Sequence, residues 1–158
     1  MESARHATLA DLPELVRLSR QATAELGDQD RGGAVFAARE ARPEPVEEGL
    51  RRAVEEADLI AVAGTVDDVI VGMASGRLEK LRDGRILGVL DDLYVHPDAR
   101  GIGVGEAMMN ELLAWFGNSG CTGVDAVALP GMRATKNFFE ECGFTARLLV
   151  MHHRMERA

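Results

Sequence analysis

The feature that most constrains this chain is a run of alternating glycines where a strand hands over to a helix. The segment reads Leu90-Asp91-Asp92-Leu93-Tyr94-Val95-His96-Pro97-Asp98-Ala99-Arg100-Gly101-Ile102-Gly103-Val104-Gly105-Glu106. Residues 86–96 are expected to form a strand that Pro97, lacking an N–H, brings to an end. Residues 103–116 have helical spacing, with Ala107, Met108, Glu111, Leu112 and Trp115 along one side. Glycine in the turn between them accepts positive φ and leaves no Cβ in the way of a ligand. The first N–H groups of a helix are unpaired, and its dipole is positive at that end. Together these features predict a cradle for a diphosphate. Arg100 adds a guanidinium suited to phosphate oxygens.

Two familiar phosphate motifs fail here. A dinucleotide fingerprint needs a third glycine at position 106, which is Glu106. A P-loop needs a lysine followed by serine or threonine, and no lysine follows Gly105.

Around this segment the pattern is α+β. Asp11, Pro13 and Glu14 predict a helix start with Asp11 as cap, and Leu12, Leu15, Val16, Ser19 and Ala22 share a helical face. Residues 27–45 break the period with Gly32-Gly33, Pro43 and Pro45, and read as a connection. Val46, Leu50, Ala53, Val54 and Ala57 restore the helical spacing. Strands are predicted over 59–63, 69–78 and 86–96, with Asp83-Gly84 as a hairpin turn, giving an antiparallel meander. A strand over 124–129, a helix over 133–141 and an extended segment over 144–155 complete the chain. Strand–helix–strand across 86–129 implies a locally parallel pair. The expectation is a single domain over 1–158, with one mixed sheet and about four helices.

Charge and composition narrow the partners. The formal net charge is −8, from 18 basic and 26 acidic residues. Nucleic acid and anionic membranes need a basic footprint, so neither is expected as a partner. No apolar run approaches the roughly 20 residues that span a bilayer. Cys121 and Cys142 follow no metal-ligand spacing and make a poor disulfide framework. A reduced, cytoplasmic setting without a metal is the expectation.

The segment around Arg100 resembles the central motif of the GCN5-related N-acetyltransferases, Arg/Gln-x-x-Gly-x-Gly/Ala, through Arg100, Gly103 and Gly105. Tyr94-Val95-His96-Pro97 before it and Ala107-Met108-Met109 after it match as well. Arg5-His6-Ala7-Thr8, Val71-Gly72-Met73-Ala74 and residues 138–144 extend the likeness over most of the chain. The resemblance implies an acyl-CoA N-acyltransferase fold with six or seven strands, mostly antiparallel. It implies acetyl-CoA as cosubstrate, lying along a splayed edge of the fourth strand and pairing with backbone at Leu93 and Val95. The diphosphate would be held by Arg100, Gly101, Ile102, Gly103, Val104, Gly105 and Glu106. The reaction implied is direct attack on the thioester by a primary amine, on a small molecule or a peptide N-terminus. The family often uses a carboxylate on the fourth strand as base, which points to Asp91 as the base, for the face it is expected to share with Leu93 and Val95, and to Asp92 as the reserve. Strict alternation would send these two to opposite faces, Asp91 with Leu93 and Val95. A homodimer is also implied.

Two positions depart from the family pattern. Phe139 stands where members usually carry a tyrosine able to protonate the departing thiolate, and Met132 replaces the usual asparagine at a helix start. These departures favour an alternative reading, a coenzyme A-binding regulatory or interaction module on the same fold.

Overall fold

The computed structural model describes residues 1–156. Strand β1 (Glu2–His6) leads through a 3-10 turn at Leu9–Asp11 into helix α1 (Leu12–Gly27). Helices α2 (Gly33–Arg39) and α3 (Val46–Glu55) follow, then strands β2 (Leu59–Val66), β3 (Val69–Lys80) and β4 (Ile86–Val95). Helix α4 (Val104–Asn118) crosses to β5 (Cys121–Asp125), and α5 (Arg133–Glu141) comes last. The sheet order is β1-β2-β3-β4-β5. Its pairings are antiparallel except the last, β4 with β5, which is parallel. The architecture is the expected α+β fold, with five strands in its sheet rather than six or seven.

The meander follows from its turns. Asp67 and Asp68 both have positive φ, 48° and 67°, and Gly84 has a φ of 90°. Tight hairpins with such residues carry a twist that matches the strands they join.

Both faces of the sheet are covered. On one face Leu12, Leu15, Val16 and Leu18 of α1, with Val46 and Leu50 of α3, pack on Ala63, Met73 and Tyr94. On the other, Val104, Met108, Leu112 and Phe116 of α4, with Phe139 of α5, pack on Ile60, Val62, Ala74 and Leu90. Glycines lie beneath helix α4 and leave room for its side chains. A Cβ on Gly64 would stand 2.6 Å from Val104, and one on Gly88 2.5 Å from the Phe116 ring. The α4 helix, and the turn that starts it, are therefore seated at a fixed depth on the sheet.

Four expectations are corrected. The stretch 27–45 contains α2, because Gly33 lacks a side chain and can approach the end of α1; a Cβ there would lie 2.5 Å from the Leu26 carbonyl oxygen. Strand β5 occupies Cys121–Asp125, not 124–129. Residues 145–156 join no strand, so the extended segment expected over 144–155 is not part of the sheet. Finally, Asp11 does not cap α1 with its side chain. Its carboxylate instead accepts from the Thr8 N–H at 2.8 Å and from Arg5 at 2.7 and 3.0 Å, while Glu14 accepts from Arg17. This tightens the entry from β1 into α1, and the Arg5 guanidinium, with the bonds from Thr8, holds the Asp11 carboxyl down at about 2.

Candidate cofactor and acceptor site

Strand β4 has one open edge. It pairs with β5 only from Ile86↔Cys121 to Val89↔Asp125. Beyond Val89 no strand among the described residues covers that side. The His96 N–H donates to the Val71 carbonyl at 2.7 Å, so residue 96 directs its backbone groups toward β3. Backbone direction alternates along a strand, which turns the N–H and C=O groups of Leu93 and Val95 to the open edge. Strands β4 and β5 thus part after Val89, and the β4 edge beyond is uncovered among the described residues. One group there is already engaged: the Val95 carbonyl accepts from Arg100 Nε at 2.9 Å.

The glycine turn follows directly. Gly101 and Gly103 have φ of 82° and 98°, and Gly103 is the residue immediately before the first turn of α4. Among the described residues, no protein acceptor meets the amides of Gly101, Ile102 and Gly103. The first amide to bond within the helix is that of Ala107, to the Gly103 carbonyl at 3.0 Å. The N–H groups of Val104, Gly105 and Glu106 lie before it and have no intrahelical partner. These successive unpaired donors at a positive helix end have the arrangement of the expected cradle, one that can receive an anion. A Cβ on Gly105 would meet the Phe138 ring at 3.4 Å, an ordinary contact, so that position has room for a methyl group.

The Arg100 side chain turns away from the cradle, toward α1. Its Nη2 donates to Glu25 Oε2 at 3.0 Å, and its guanidinium carbon lies 5.3 Å from the centre of the Tyr94 ring. The Tyr94 hydroxyl donates to the same Glu25 oxygen at 2.8 Å. Arg100 holds the Glu25 carboxyl below its ordinary value. Burial, and then Glu25, push the Tyr94 phenol up.

The two aspartates differ sharply. Strand β4 carries a bulge opposite Ser75 and Gly76, where Ser75 pairs with Asp92 and Gly76 with Leu90, leaving Asp91 extra. Such an insertion shifts the alternation of side chains by one residue. Asp91 accordingly reaches Arg77 on the α1–α3 side, the side that Asp92 also faces, while Leu93 and Val95 pack toward α4 and α5. The expectation of opposite faces, with Asp91 sharing that of Leu93 and Val95, is overturned by this bulge.

Asp92 is engaged through one oxygen. Its Oδ2 accepts from Arg42 Nη2 at 2.7 Å, from Arg42 Nε at 3.1 Å and from Ser75 Oγ at 2.6 Å. The Arg42 and Asp92 side chains are only 14% and 11% exposed. Asp91 remains 32% exposed, within reach of a ligand. Surrounding protein still raises its carboxyl above the ordinary value, outweighing the opposing pull of Arg77.

A sequence model of the Acetyltransferase (GNAT) family matches residues 25–144, most of the chain. The chain belongs to the GNAT family. The matched span runs from Glu25 through the β4 edge and the glycine turn to Phe144. Solved structures share the GNAT fold at low identity. The aminoglycoside N-acetyltransferase AAC(6')-Iy, in complex with a bisubstrate analog, aligns with a TM-score of 0.75 at 17% identity, covering 99% of each chain. An acetyltransferase of Trypanosoma brucei aligns with a TM-score of 0.67 at 22% identity, over 98% of this chain and 100% of its own. A transcriptional regulator from Bacillus halodurans aligns with a TM-score of 0.71 at 20% identity, over 97% and 100%. No curated protein matches the sequence.

Two features of this GNAT chain bear on catalysis. Phe139 is a core residue, 8% exposed, with its ring 5.9 Å from that of Phe138 and 5.4 Å from that of Phe144. Met132 precedes α5 and makes no side-chain cap. Sequence reasoning missed Glu25, Arg42, Ser75 and Arg77. Their partners lie 75, 50, 17 and 14 residues away, so no local spacing could mark them.

Proposed function

We propose that the chain transfers an acetyl group from acetyl-CoA to a primary amine on a small molecule or a peptide N-terminus. The observation that carries this reading is the open β4 edge at Leu93 and Val95 running straight into the unpaired amides of residues 101–106. An extended arm ending in a diphosphate fits that arrangement: edge amides pair with the arm, and the cradle holds the charge. The Leu93 N–H would polarise the thioester carbonyl, an oxyanion role commonly worth about 3–4 kcal/mol. Asp91 would take the proton from an ammonium whose pKa is about 10. The free amine then forms the C–N bond as the C–S bond breaks, the second proton of that nitrogen passes through water to the departing thiolate, and Asp91 returns its proton to solvent. Asp92 serves as a support for this bulge through Arg42 and Ser75.

The net charge of −8 is compatible with a cationic acceptor, as an amine is before it loses its proton, and equally with a solvated acidic surface. The acetylneamine analog held by one GNAT of this fold is consistent with such an acceptor. No helix among the described residues is long and apolar enough to cross a membrane. A cytoplasmic setting and a homodimer are part of the same reading.

Phe139 favours a second reading, a coenzyme A-binding regulatory module, because a buried phenyl ring donates no proton. One assay separates the two. Incubation with acetyl-CoA and a panel of primary amines, with free thiol followed over time, is expected to give amine-dependent release. Coenzyme A binding without release for any amine would establish the module instead.

A further inference from the structure

Arg100 is the one charged side chain of the glycine turn that the chain turns away from the cradle, and what holds it is specific. Three groups converge on it: the Val95 carbonyl on Nε at 2.9 Å, the Glu25 carboxylate on Nη2 at 3.0 Å, and the Tyr94 ring beneath. Tyr94 in turn donates to Glu25 at 2.8 Å, which fixes the carboxylate in place. Glu25 lies near the end of α1, on the opposite face of the sheet from α4. The guanidinium therefore ties the end of α1 to the open β4 edge at Val95. It also occupies the outward Val95 carbonyl, a group that an incoming arm needs for pairing.

From this we infer that Glu25 and Tyr94 form a latch that holds Arg100 across the cofactor slot, and that coenzyme A must displace Arg100 from Val95 to enter. The inference rests on the acetyl-CoA reading above and adds to it a positioning residue, Glu25, that acts only through Arg100. Opening the latch releases the guanidinium toward the diphosphate and frees the Glu25 carboxylate at the end of α1. Cofactor entry and the state of α1 are thereby linked, because the same cation cannot serve both carboxylate and cofactor. Replacing Glu25 by Gln keeps the side chain's shape while removing the charge that retains Arg100. An ion pair this exposed has a modest hold, so Glu25→Gln should tighten coenzyme A binding by about two- to fivefold.

The chain contains one tyrosine, which gives a direct view of the latch. Ionisation of Tyr94, followed by ultraviolet absorbance, reports the loss of the Glu25 charge without any ligand. The experiment compares wild type, Glu25→Gln and Arg100→Ala by calorimetric titration with coenzyme A and by this absorbance, with thermal unfolding confirming that each is folded. The expected result has three parts. Glu25→Gln binds coenzyme A more tightly, its Tyr94 midpoint falls below that of wild type, and Arg100→Ala binds more weakly. Normal wild-type binding with an unmoved Tyr94 midpoint, or with weaker binding by Glu25→Gln, would overturn the latch alone. A wild type that does not bind coenzyme A would remove the acetyltransferase reading, and with it the latch as a gate to cofactor entry.

Discussion

At the scale of single residues, Asp91 and Asp92 are neighbours in sequence with different work to do. The bulge leaves Asp91 unpaired in the ladder and partly open to solvent, whereas Asp92 is enclosed by Arg42 and Ser75. A base acts when ionised, and desolvation has raised the Asp91 carboxyl above its ordinary value. Turnover by the wild type should thus begin to fall, as pH drops, at a higher pH than an ordinary carboxylate of about 3.9 would give. Asp91→Asn should lower turnover by about 100-fold. The deficit should be greatest at low pH, where the acceptor is mostly ammonium, and coenzyme A affinity should be nearly unchanged. Rate profiles and calorimetry on the two proteins check this, and an unaltered profile would remove Asp91 from the mechanism. Arg42→Ala makes the opposite kind of prediction. It strands a nearly buried carboxylate and should destabilise the fold by about 2–4 kcal/mol, read from the urea midpoint at constant slope.

At the scale of elements, the sequence was most legible where a local rule decided the outcome. The face Leu12, Leu15, Val16, Ser19 and Ala22 was readable because helical spacing alone selects it, and all five are buried. The meander was readable from Asp83-Gly84, since a tight hairpin needs a residue that accepts positive φ. Helix α2 was not, because a short helix set between glycines and prolines has no long period, and the contact of Gly33 with α1 is tertiary. The bulge at Asp91 was hidden for a related reason: it exists only in the register with Ser75 and Gly76 on β3. The glycine turn shows both sides of this boundary. Its alternation was visible, but only the structure separates the roles of the glycines. Gly103 has a φ of 98°, whereas Gly105 lies in the helix with room beside Phe138. Gly103→Ala should therefore cost about 1–2 kcal/mol of backbone strain and weaken coenzyme A binding by about tenfold. Gly105→Ala, which suits a helix better, should change binding by less than about twofold. Titration of both variants with coenzyme A tests the assignment, and equal losses would count against it.

For the molecule as a whole, the far edge of the sheet sets the next constraint. Strand β5 pairs with β4 alone, so its other edge is open among the described residues. Leu148, Leu149, Val150 and Met151 are 69% to 88% exposed, and Arg147, just before this run, pairs with Asp125 at the end of β5. An open strand edge together with a contiguous apolar run is a poor solution for a lone chain, since both the backbone and the side chains seek partners. A two-fold dimer resolves both at once, each copy offering its run to the other's edge, because such an interface is self-complementary. The proposed homodimer should therefore depend on this run. Sedimentation velocity at micromolar concentration is expected to show a dimer for wild type and a monomer for Leu149→Arg. The substitution touches nothing in either core cluster, so the monomer should stay folded with its coenzyme A site intact. A wild type that sediments as a monomer would break the link between the open edge and self-association, and an unaffected Leu149→Arg dimer would move the interface elsewhere.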